Sequence, residues 1–341
     1  MNEFFFKNVP EAKEIFEFRY RMVELIKEHP GIGRRSLSDL LQVPERRVRT
    51  EIKNLEDLKL VKSTPKGLKV TASGNNFISE LASIYPHHNT MADLEHFLKE
   101  RLGIKRVIAS RDDINLEKNL LRRGKEELRK LIKKSSVLGV AGGSSVRLVV
   151  DHFKTKKNVP IDVVPAQGDL GQPVEEQANT LAYRLAQSIG GRYHPLLVAD
   201  SLEPESMSVM RQEPRIKGTL SMIEDIDTLI FGVGKPEAMI RRRQLQADLE
   251  DDLLSKGVTG EAFGCFFNDQ AQLIYQVPTL GVTLDQVKNL RGLLCIAFGE
   301  DKAEAVLSVV PINQDIVLLT DESCALKMRA LLGGENDKSS T

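Results

Sequence analysis

The stretch GVAGGSSVRLVV, Gly139–Val150, places two glycines and two serines directly after a run of apolar residues. Val137–Ala141 has the composition of a buried strand, and the residues from Ser145 onward have the pattern of a helix. The glycines permit a sharp turn between the two elements. Free backbone N–H groups and the hydroxyls of Ser144 and Ser145 then converge beside the positive end of a helix dipole. The stretch therefore predicts an α/β unit with a site for phosphate or another anion at this turn.

The spacing of the glycines narrows the kind of site. No lysine follows them, as a phosphate-binding P-loop requires, and Gly139, Gly142 and Gly143 lack the spacing of a dinucleotide-binding loop. A nicotinamide-binding module is therefore disfavoured. The remaining alternative is a plain strand-to-helix turn that serine caps.

Length and composition describe a protein of about two domains. The 341 residues include 48 lysines and arginines, 48 aspartates and glutamates, and 41% hydrophobic residues. Cys265, Cys295 and Cys324 lie far apart, so neither a disulfide framework nor a zinc site is expected. The sequence shows neither a signal peptide nor an apolar run of about 18 residues, so we expect a cytoplasmic protein with no membrane partner, metal or cofactor.

Positive charge is concentrated near the N-terminus. Residues 31–70 contain ten basic and five acidic side chains, a local excess of five. Such an excess is expected of a surface that binds a polyanion. On charge alone, the alternative is a solvated helix face.

The apolar pattern of the same region favours DNA binding. Phe18–Ile26 has the spacing of a first helix, Ser36 is expected to cap a second, and Pro44 to open a third that extends through Leu58. A β-hairpin with its turn at residues 65–67 follows. This order is that of a winged helix-turn-helix, in which the second helix of the pair enters the major groove and the wing contacts the DNA backbone.

Residues 1–85 are therefore predicted to form a winged helix-turn-helix domain that binds double-stranded operator DNA. The residues expected to contact DNA are on the second helix, the third helix and the wing tip: Arg34, Arg35, Arg46, Arg47, Arg49, Thr50 and Lys66. Residues 86–104 are predicted to form a linker helix. His87 and His88 have no further ligand at metal-binding spacing, so we expect them to be exposed.

Strand and helix patterns alternate from Lys105 onward. The predicted strands are Val107–Ala109, Val137–Ala141, Ile161–Pro165, Leu196–Ala199, Thr228–Gly232, Gly292–Ala297 and Ile316–Leu319, and the predicted helices are Leu116–Lys133, Ser145–Phe153, Val174–Ser188, Ile216–Ile226, Lys302–Val309 and Glu322–Leu332. Residues 265–277 have the pattern of an inserted hairpin. Residues 105–334 are thus predicted to form a doubly wound, Rossmann-like α/β domain with a mostly parallel sheet, followed by a disordered tail at 335–341.

The loops after these strands carry groups that suit a phosphorylated sugar. Ligands of open α/β sheets bind outside the carboxyl ends of the strands. There the chain places these segments and residues: Gly142–Ser145, Gln167–Gly171, Gln177, Asn179, Gly232–Lys235, Arg241–Arg243, Glu261 and Gly299–Lys302. Arginine and lysine bind phosphate, while amides and carboxylates bind sugar hydroxyls. Each residue also has a simpler alternative: Asp169 could complete a turn, Asn179 could bond backbone, and the arginines could face solvent.

Four segments resemble the SorC-like transcriptional regulators with a sugar-binding domain, in particular a subgroup that controls glycolytic genes. They are RRSLSDLLQVPERRVRTEIKNLEDLKLV (Arg34–Val61), VPAQGDLGQPVEEQANT (Val164–Thr180), GEAFGCFFN (Gly260–Asn268) and DKAEAVLSVV (Asp301–Val310). They occur in order and span nearly the whole chain. The resemblance implies a repressor whose operator binding is modulated by a phosphorylated sugar, fructose 1,6-bisphosphate in that subgroup, and which assembles as a homodimer or homotetramer.

The resemblance also implies roles for individual residues. It places phosphate-binding hydroxyls, often threonine in the family, at Ser144 and Ser145. It implies an amide ligand at Gln177, a phosphate-binding arginine at Arg242 and an acid on the sugar side at Glu261. It also implies a lysine at Lys302 and a backbone N–H donor at Gly168. The expected effector-binding residues are Gly143, Ser144, Ser145, Gln167, Gly168, Gln177, Arg242, Glu261 and Lys302.

One departure from the family pattern concerns the phosphate. Gln167 stands where that pattern has arginine, and Asp169 stands where it has glycine. Loss of a charge-assisted hydrogen bond of roughly 1.5–3 kcal/mol lowers phosphate affinity about tenfold or more. The effector could then be a different or singly phosphorylated sugar, or Arg147 or Arg242 could compensate.

The alternative function is that of an enzyme, because the α/β domain resembles sugar-phosphate isomerases and deaminases. Those reactions need a general base close to the substrate. Asp169 and Glu261 are available carboxylates, but no histidine adjoins a pocket motif, so we do not expect an enzyme. The expected mechanism is linkage, in which the effector changes the relative free energies of protomer arrangements and so the spacing of paired DNA-binding heads. The operator, and whether the effector releases or strengthens DNA binding, stay open.

Overall fold

The structure is a computed structural model, which describes residues 10–41, 43–84, 91–111, 116–155, 158–171, 173–200 and 202–333. The chain forms two units, Met1–Asp93 and Leu94–Thr341. The predicted tail at 335–341, and His87 and His88, lie outside the described residues. The predicted domain boundaries at 85 and 104 stay predictions.

The described part of the N-terminal unit has the predicted order of helix, helix, basic helix and hairpin. Its elements are α1 (Pro10–Glu28), α2 (Arg34–Leu41), α3 (Glu45–Asp57), β1 (Val61–Thr64), β2 (Gly67–Val70) and α4 (Ala72–Ile84). The winged helix-turn-helix is confirmed, with α3 as the second helix of the pair, the position that a recognition helix has in this fold. The predicted cap at Ser36 is wrong, because the carbonyl of Gly33 already accepts the N–H of Leu37 at 3.0 Å and so starts the helix earlier.

An apolar stripe at helical spacing fixes α3 in this unit. Val48, Ile52 and Leu55 are each no more than 5% exposed, and they share one core with Ile26 of α1 and Leu37 of α2. Burial of this stripe stabilises the unit because apolar surface leaves water. The opposite face of α3, which carries the arginines, is left to solvent.

Backbone contacts hold the wing against the loop between α1 and α2. The N–H of Gly31 donates to the carbonyl of Leu68 at 2.8 Å, and the N–H of Leu68 donates to the carbonyl of Ile32 at 3.0 Å. Gly67 has a φ of +103°, and a Cβ there would lie 2.1 Å from the carbonyl oxygen of Gly31, so only glycine fits. The wing tip at Lys66 therefore has a fixed place beside the helix-turn-helix.

The C-terminal unit alternates strands and helices. Its strands are β3 (Arg106–Ser110), β4 (Val137–Val140), β5 (Asp162–Pro165), β6 (Arg192–Tyr193), β7 (Thr228–Gly232), β8 (Val258–Ala262), β9 (Cys265–Asn268), β10 (Leu273–Gln276), β11 (Gly292–Ile296) and β12 (Ile316–Asp321). Its helices are α5 (Met91–Leu102, where the unit begins within the helix), α6 (Leu116–Ile132), α7 (Ser144–Asp151), α8 (Ala178–Ile189), α9 (Pro204–Gln212), α10 (Pro214–Glu224), α11 (Pro236–Arg242), α12 (Ala247–Ser255), α13 (Leu284–Asn289), α14 (Ala303–Val309) and α15 (Glu322–Leu331). Single 3₁₀ turns lie at Val174–Glu176, Glu300–Lys302 and Val310–Ile312.

The large sheet confirms the predicted doubly wound α/β fold. Its strands are parallel, in the order β3-β12-β11-β7-β4-β5-β6. The chain winds from β4 outward to β6 on one side and from β7 through β11 to β12 on the other. The switch point therefore lies between β4 and β7, where such sheets bind ligands at the carboxyl ends of their strands. The loops Gly142–Ser145 and Gly232–Lys235 both leave the sheet there.

A second sheet lies beside this switch point. The predicted hairpin forms β9 and β10, and β8 adds a third antiparallel strand that the sequence pattern did not predict. The backbone of Glu261 in β8 bonds to Gly234, with N–H to carbonyl distances of 2.8 and 2.9 Å. This bridge brings Glu261 to the loop after β7.

Two predicted elements of the large domain need correction. Leu196–Ala199 is not a strand, because the side chain of Asn179 bonds both backbone groups of residue 196, at 2.9 and 3.0 Å, and Pro195 has no N–H to donate. The predicted helix Val174–Ser188 is interrupted at Gln177, whose extended backbone, with a ψ of 142°, separates a 3₁₀ turn from α8.

Candidate functional site

A cavity of about 190 Å³ lies at the switch point, between the loops after β4 and β7. The loop after β5, α11, β8 and the turn before α14 complete its walls. The predicted effector residues that line it are Gly143, Ser144, Ser145, Gln167, Gln177, Arg242, Glu261 and Lys302. Gly168 is not part of the lining.

The turn at the start of α7, Gly142–Ser145, forms one wall of the cavity. Gly143 turns the chain with a φ of +126°, and its N–H donates to the carbonyl of Glu176 at 2.8 Å. In the described structure, no hydrogen bond engages the backbone N–H groups of Ser144, Ser145 and Val146 or the two serine hydroxyls. These groups can donate together to an anion at the positive end of the helix.

The cations of the lining each have a protein partner. The guanidinium of Arg242 donates to Glu176 at 2.6 Å, and the ammonium of Lys235 pairs with Asp301 at 2.8 Å. Nζ of Lys302 donates to the backbone carbonyl of residue 233 at 3.1 Å, and burial lowers the pKa of this ammonium. A bound anion therefore competes with carboxylates for two of the cations.

Two glutamines supply neutral polar groups to the cavity. Gln177 is buried, and its Oε1 accepts the N–H of Leu170 at 3.1 Å. Its amide N–H groups make no hydrogen bond in the described structure, so they can donate to a ligand oxygen. Gln167 is half-buried and contributes a second amide.

Three residues predicted to lie at the ligand site instead make hydrogen bonds to other parts of the protein. The N–H of Gly168 donates to Oδ1 of Asp200 at 3.1 Å, so it is not free to bind the effector. Oδ1 of Asp169 accepts the N–H of Gly171 at 2.7 Å in a local turn, outside the cavity lining. Asn179 bonds backbone, as described above. The simpler alternatives for Asp169 and Asn179 therefore hold, and Asp169 places no carboxylate in the lining.

Arg243, predicted with Arg241 and Arg242 to bind phosphate or face solvent, does neither: it is buried in a cluster behind the cavity. Its guanidinium donates to Asp200 and, at 2.9 Å, to Glu261, and each of the three side chains is no more than 3% exposed. Oε1 of Glu261 also accepts the N–H of Gly264 at 2.7 Å. Burial raises the pKa of Asp200, and the guanidinium offsets part of that rise. Asp200 accepts a hydrogen bond from the turn after β5, and Glu261 lies in β8. Through its bonds to both carboxylates, Arg243 connects the β5 side of the cavity to the β8 side.

The cavity has the groups of a binding site more than those of a catalytic site. Glu261 is bound to Arg243, and Asp169 lies outside the lining, so neither carboxylate is placed as a general base. Within the described ranges, no group of three or more His, Cys, Asp or Glu side chains could hold a metal ion. The helices that the structure describes include none that is long and apolar enough to span a bilayer.

The predicted DNA-contact residues are exposed on α2, α3 and the wing tip of the N-terminal unit: Arg34, Arg35, Arg46, Arg47, Arg49, Thr50 and Lys66. The guanidinium of Arg47 lies 4.3 Å from the ring centroid of Phe18, so α1 supports it. The hydroxyl of Thr50 donates to the carbonyl of Arg46 at 3.1 Å. The side chains thus present a cationic surface on the recognition helix and its neighbours.

Glu45 places a carboxylate within this surface, 3.8 Å from Arg35 and 3.6 Å from Arg49. Glu45→Gln is expected to tighten binding to duplex DNA about three- to tenfold at low salt, because both arginines are released and the repulsion of phosphates is removed. Fluorescence anisotropy at two salt concentrations measures the change. Asp57→Asn, at the other end of α3, should leave affinity unchanged. Equal tightening by both variants would contradict a local effect of Glu45.

Family models match both units. A model of a sugar-binding domain, Sugar-bind, matches residues 87–329, and a model of the CggR N-terminal DNA binding domain matches residues 15–85. The central glycolytic genes regulator of Priestia megaterium is 31% identical over 329 residues, which cover 94% of this chain and 96% of that protein. The protein of the same name from Bacillus subtilis is 29% identical over 327 residues, with the same coverage of each chain.

Solved structures show the same fold. A SorC family transcriptional regulator from Enterococcus faecalis is 26% identical, covers 69% of this chain and 98% of its own, and superposes with a TM-score of 0.63. The full-length sorbitol operon regulator SorC from Klebsiella pneumoniae is 18% identical, with a TM-score of 0.63 over 93% of this chain and 99% of its own.

Proposed function

Because this chain belongs to the family of sugar-binding transcriptional regulators that includes the central glycolytic genes regulators, we propose that it regulates glycolytic genes by binding operator DNA and a phosphorylated sugar. The cationic surface of α2, α3 and the wing is the proposed DNA-binding surface. The cavity at the switch point is the proposed effector site. The proposed location is the cytoplasm, where operator DNA and sugar phosphates occur together.

The observation that carries the proposal is the set of donors in the cavity. The start of α7 offers three N–H groups that no described residue engages, and two hydroxyls, at the positive end of a helix dipole. Arg242 and Lys302 add positive charge, and Gln177 adds amide donors for sugar hydroxyls. A phosphate on a polyhydroxylated body matches this set.

Within this class we propose fructose 1,6-bisphosphate as the effector and a repressor role for the protein. Gln167 is neutral, but the Asp169 carboxylate is held in a turn outside the lining, so it does not oppose a second phosphate. Arg147 is not part of the lining and pairs with Glu175 at 3.3 Å, whereas Arg242 lines the cavity and adds positive charge there while it stays paired with Glu176. In a homodimer or homotetramer, effector binding would shift the equilibrium between protomer arrangements and so operator affinity.

Ser144→Ala combined with Ser145→Ala tests the effector site. Loss of two hydroxyl donors, at about 1 kcal/mol each, is expected to weaken fructose 1,6-bisphosphate binding about thirtyfold. The rise in melting temperature that the sugar gives the wild-type protein should then disappear at ligand concentrations near the wild-type Kd. Ser221→Ala, on the exposed face of α10, is the matched control. An unchanged thermal shift in the double variant would remove the proposed phosphate site.

An electrophoretic mobility shift with the upstream region of the gene tests the regulator itself. A sequence-specific complex whose amount changes on addition of fructose 1,6-bisphosphate is the expected result. Absence of a specific complex, both with and without a panel of sugar phosphates, would contradict the proposed function.

A further inference from the structure

The ion pair between Lys235 and Asp301 joins the loops after the neighbouring strands β7 and β11 at the edge of the cavity. The ammonium lies 2.8 Å from Oδ2 of Asp301, and the two side chains are 42% and 61% exposed. Lys235 lines the cavity, whereas Asp301 does not. The ammonium of Lys235 therefore contacts the exposed carboxylate of Asp301 and also borders the space that a ligand would occupy.

The other two cations of the lining are held in a different way. Arg242 pairs with Glu176, whose side chain is only 14% exposed, and Lys302 is partly buried with its Nζ on a backbone carbonyl. Moving Lys302 would leave a backbone carbonyl without its donor, and moving Arg242 would leave the half-buried Glu176 with only Arg147, at 3.9 Å, so both moves are costly. An exposed ion pair contributes little to stability, so its exchange costs little. Lys235 is therefore the cation of the lining that changes partner most easily.

Lys235 and Asp301 also interact with the charges of the neighbouring residues around Lys302. The ammonium of Lys302 is within electrostatic range of Lys235, Arg242, Asp301 and Glu261. A phosphate that enters between these cations carries up to two negative charges and three acceptor oxygens, more than the single carboxylate of Asp301 offers. The flexible four-carbon stem of lysine permits the ammonium to move between the two partners.

We propose that Lys235 exchanges Asp301 for an anionic oxygen of the bound sugar phosphate, so that Asp301 is a built-in competitor that sets the affinity of the cavity. The inference rests on the proposed function, because it takes the cavity as the effector site. Exchange also releases the bridge between the loops after β7 and β11, so the bound state differs from the free state in this contact.

A double-mutant cycle tests the exchange, with isothermal titration calorimetry of the full chain and fructose 1,6-bisphosphate as the probe. Lys235→Met is expected to weaken binding about tenfold, the loss of one charge-assisted hydrogen bond. Asp301→Asn is expected to tighten binding about threefold, as the competing pair is removed. In the Lys235→Met background, Asp301→Asn should change nothing, because its effect passes through the ammonium.

The exposed pair Lys256–Asp252, at 2.6 Å and with 53% and 47% of the side chains exposed, is the matched control. Lys256→Met and Asp252→Asn should leave affinity unchanged. If Asp301→Asn tightens binding equally with and without Lys235, Asp301 only repels the ligand directly and the exchange is overturned. An unchanged affinity of Lys235→Met overturns it as well. If the wild-type chain binds neither this sugar nor other sugar phosphates, the proposed function fails first and the inference with it.

Discussion

Replacing Arg243 by methionine is expected to lower the free energy of unfolding of the C-terminal unit by about 3–5 kcal/mol. The guanidinium donates to Asp200 and Glu261, and none of the three side chains is more than 3% exposed. Without the guanidinium, the carboxylates of Asp200 and Glu261 stay buried and still carry the desolvation penalty of a charged group. They lose the cation that offsets this penalty. Calorimetry of the full chain should show this unit melting about 10 °C lower than in the wild-type protein.

The loss should depend on pH in a direction that identifies its cause. Burial raises the pKa of Asp200 in the folded protein. Such a carboxyl stabilises the fold below its unfolded pKa, and the contribution is lost as the pH rises through its folded pKa. Removal of Arg243 raises the folded pKa further. The variant is therefore expected to regain stability as the pH falls from about 7 to about 5, whereas the wild-type protein should change less.

Two further variants separate buried charge from lost packing. Arg241→Met, at an exposed position of α11 two residues before Arg243, should leave the melting temperature unchanged. Asp200→Asn together with Glu261→Gln, added to Arg243→Met, removes the unpaired charges and keeps the side-chain shapes. This triple variant should recover much of the lost stability. If it melts no higher than Arg243→Met alone, packing and not charge accounts for the effect, and the electrostatic explanation is wrong.

The sequence predicted the switch point well, for a physical reason. β4 (VLGV) and β7 (TLIFG) are short, mostly apolar runs with glycine at or just after their carboxyl ends, and Thr228–Gly232 is observed with the predicted bounds. Strands buried on both faces need such runs. Because parallel strands bring their carboxyl ends to one edge, the loops that follow were expected to meet there. Eight of the nine residues predicted to bind the effector line the cavity at this edge; that they bind an effector stays a prediction.

Elements that depend on distant partners were not predictable in this way. β8, with the sequence VTGEA, has a single large apolar residue, Val258, and so a weak strand pattern; it is a strand because β9 and the loop after β7 pair with it. Leu196–Ala199 has the composition of a strand, but a side chain of α8 takes the backbone groups that a neighbouring strand would need. In both cases, tertiary hydrogen bonds override local propensity.

The roles of single polar residues were hardest to predict. Arg242 and Arg243 are adjacent and chemically alike, yet one lines the cavity and the other is buried behind it. The direction of each side chain depends on where α11 packs, which spacing alone does not give. The carboxylate of Asp169 likewise belongs to its own turn, a local bond that also exists without any ligand.

Removing three exposed cations of the N-terminal unit together is expected to weaken operator binding about 100- to 1000-fold near physiological salt. The variant combines Arg34→Ala, Arg46→Ala and Lys66→Ala, one change each on α2, α3 and the wing tip. In the described residues, none of these side chains takes part in an ion pair, so each is available to a phosphate or a base edge. If all three contact phosphates, the slope of log K against log salt should fall by about three.

Single variants and a control decide what each cation contributes. A residue that contacts only phosphate should weaken operator and unrelated DNA alike, whereas one that contacts a base edge should weaken the operator selectively, by about 1–3 kcal/mol. Arg46, on the recognition helix, is the one expected to act selectively. The control is Lys133→Ala, Lys134→Ala and Arg291→Ala, which removes the same charge from exposed positions of the C-terminal unit. If this control variant loses as much salt dependence as the N-terminal variant, DNA binding depends on the net charge of the protein and not on the winged helix-turn-helix surface.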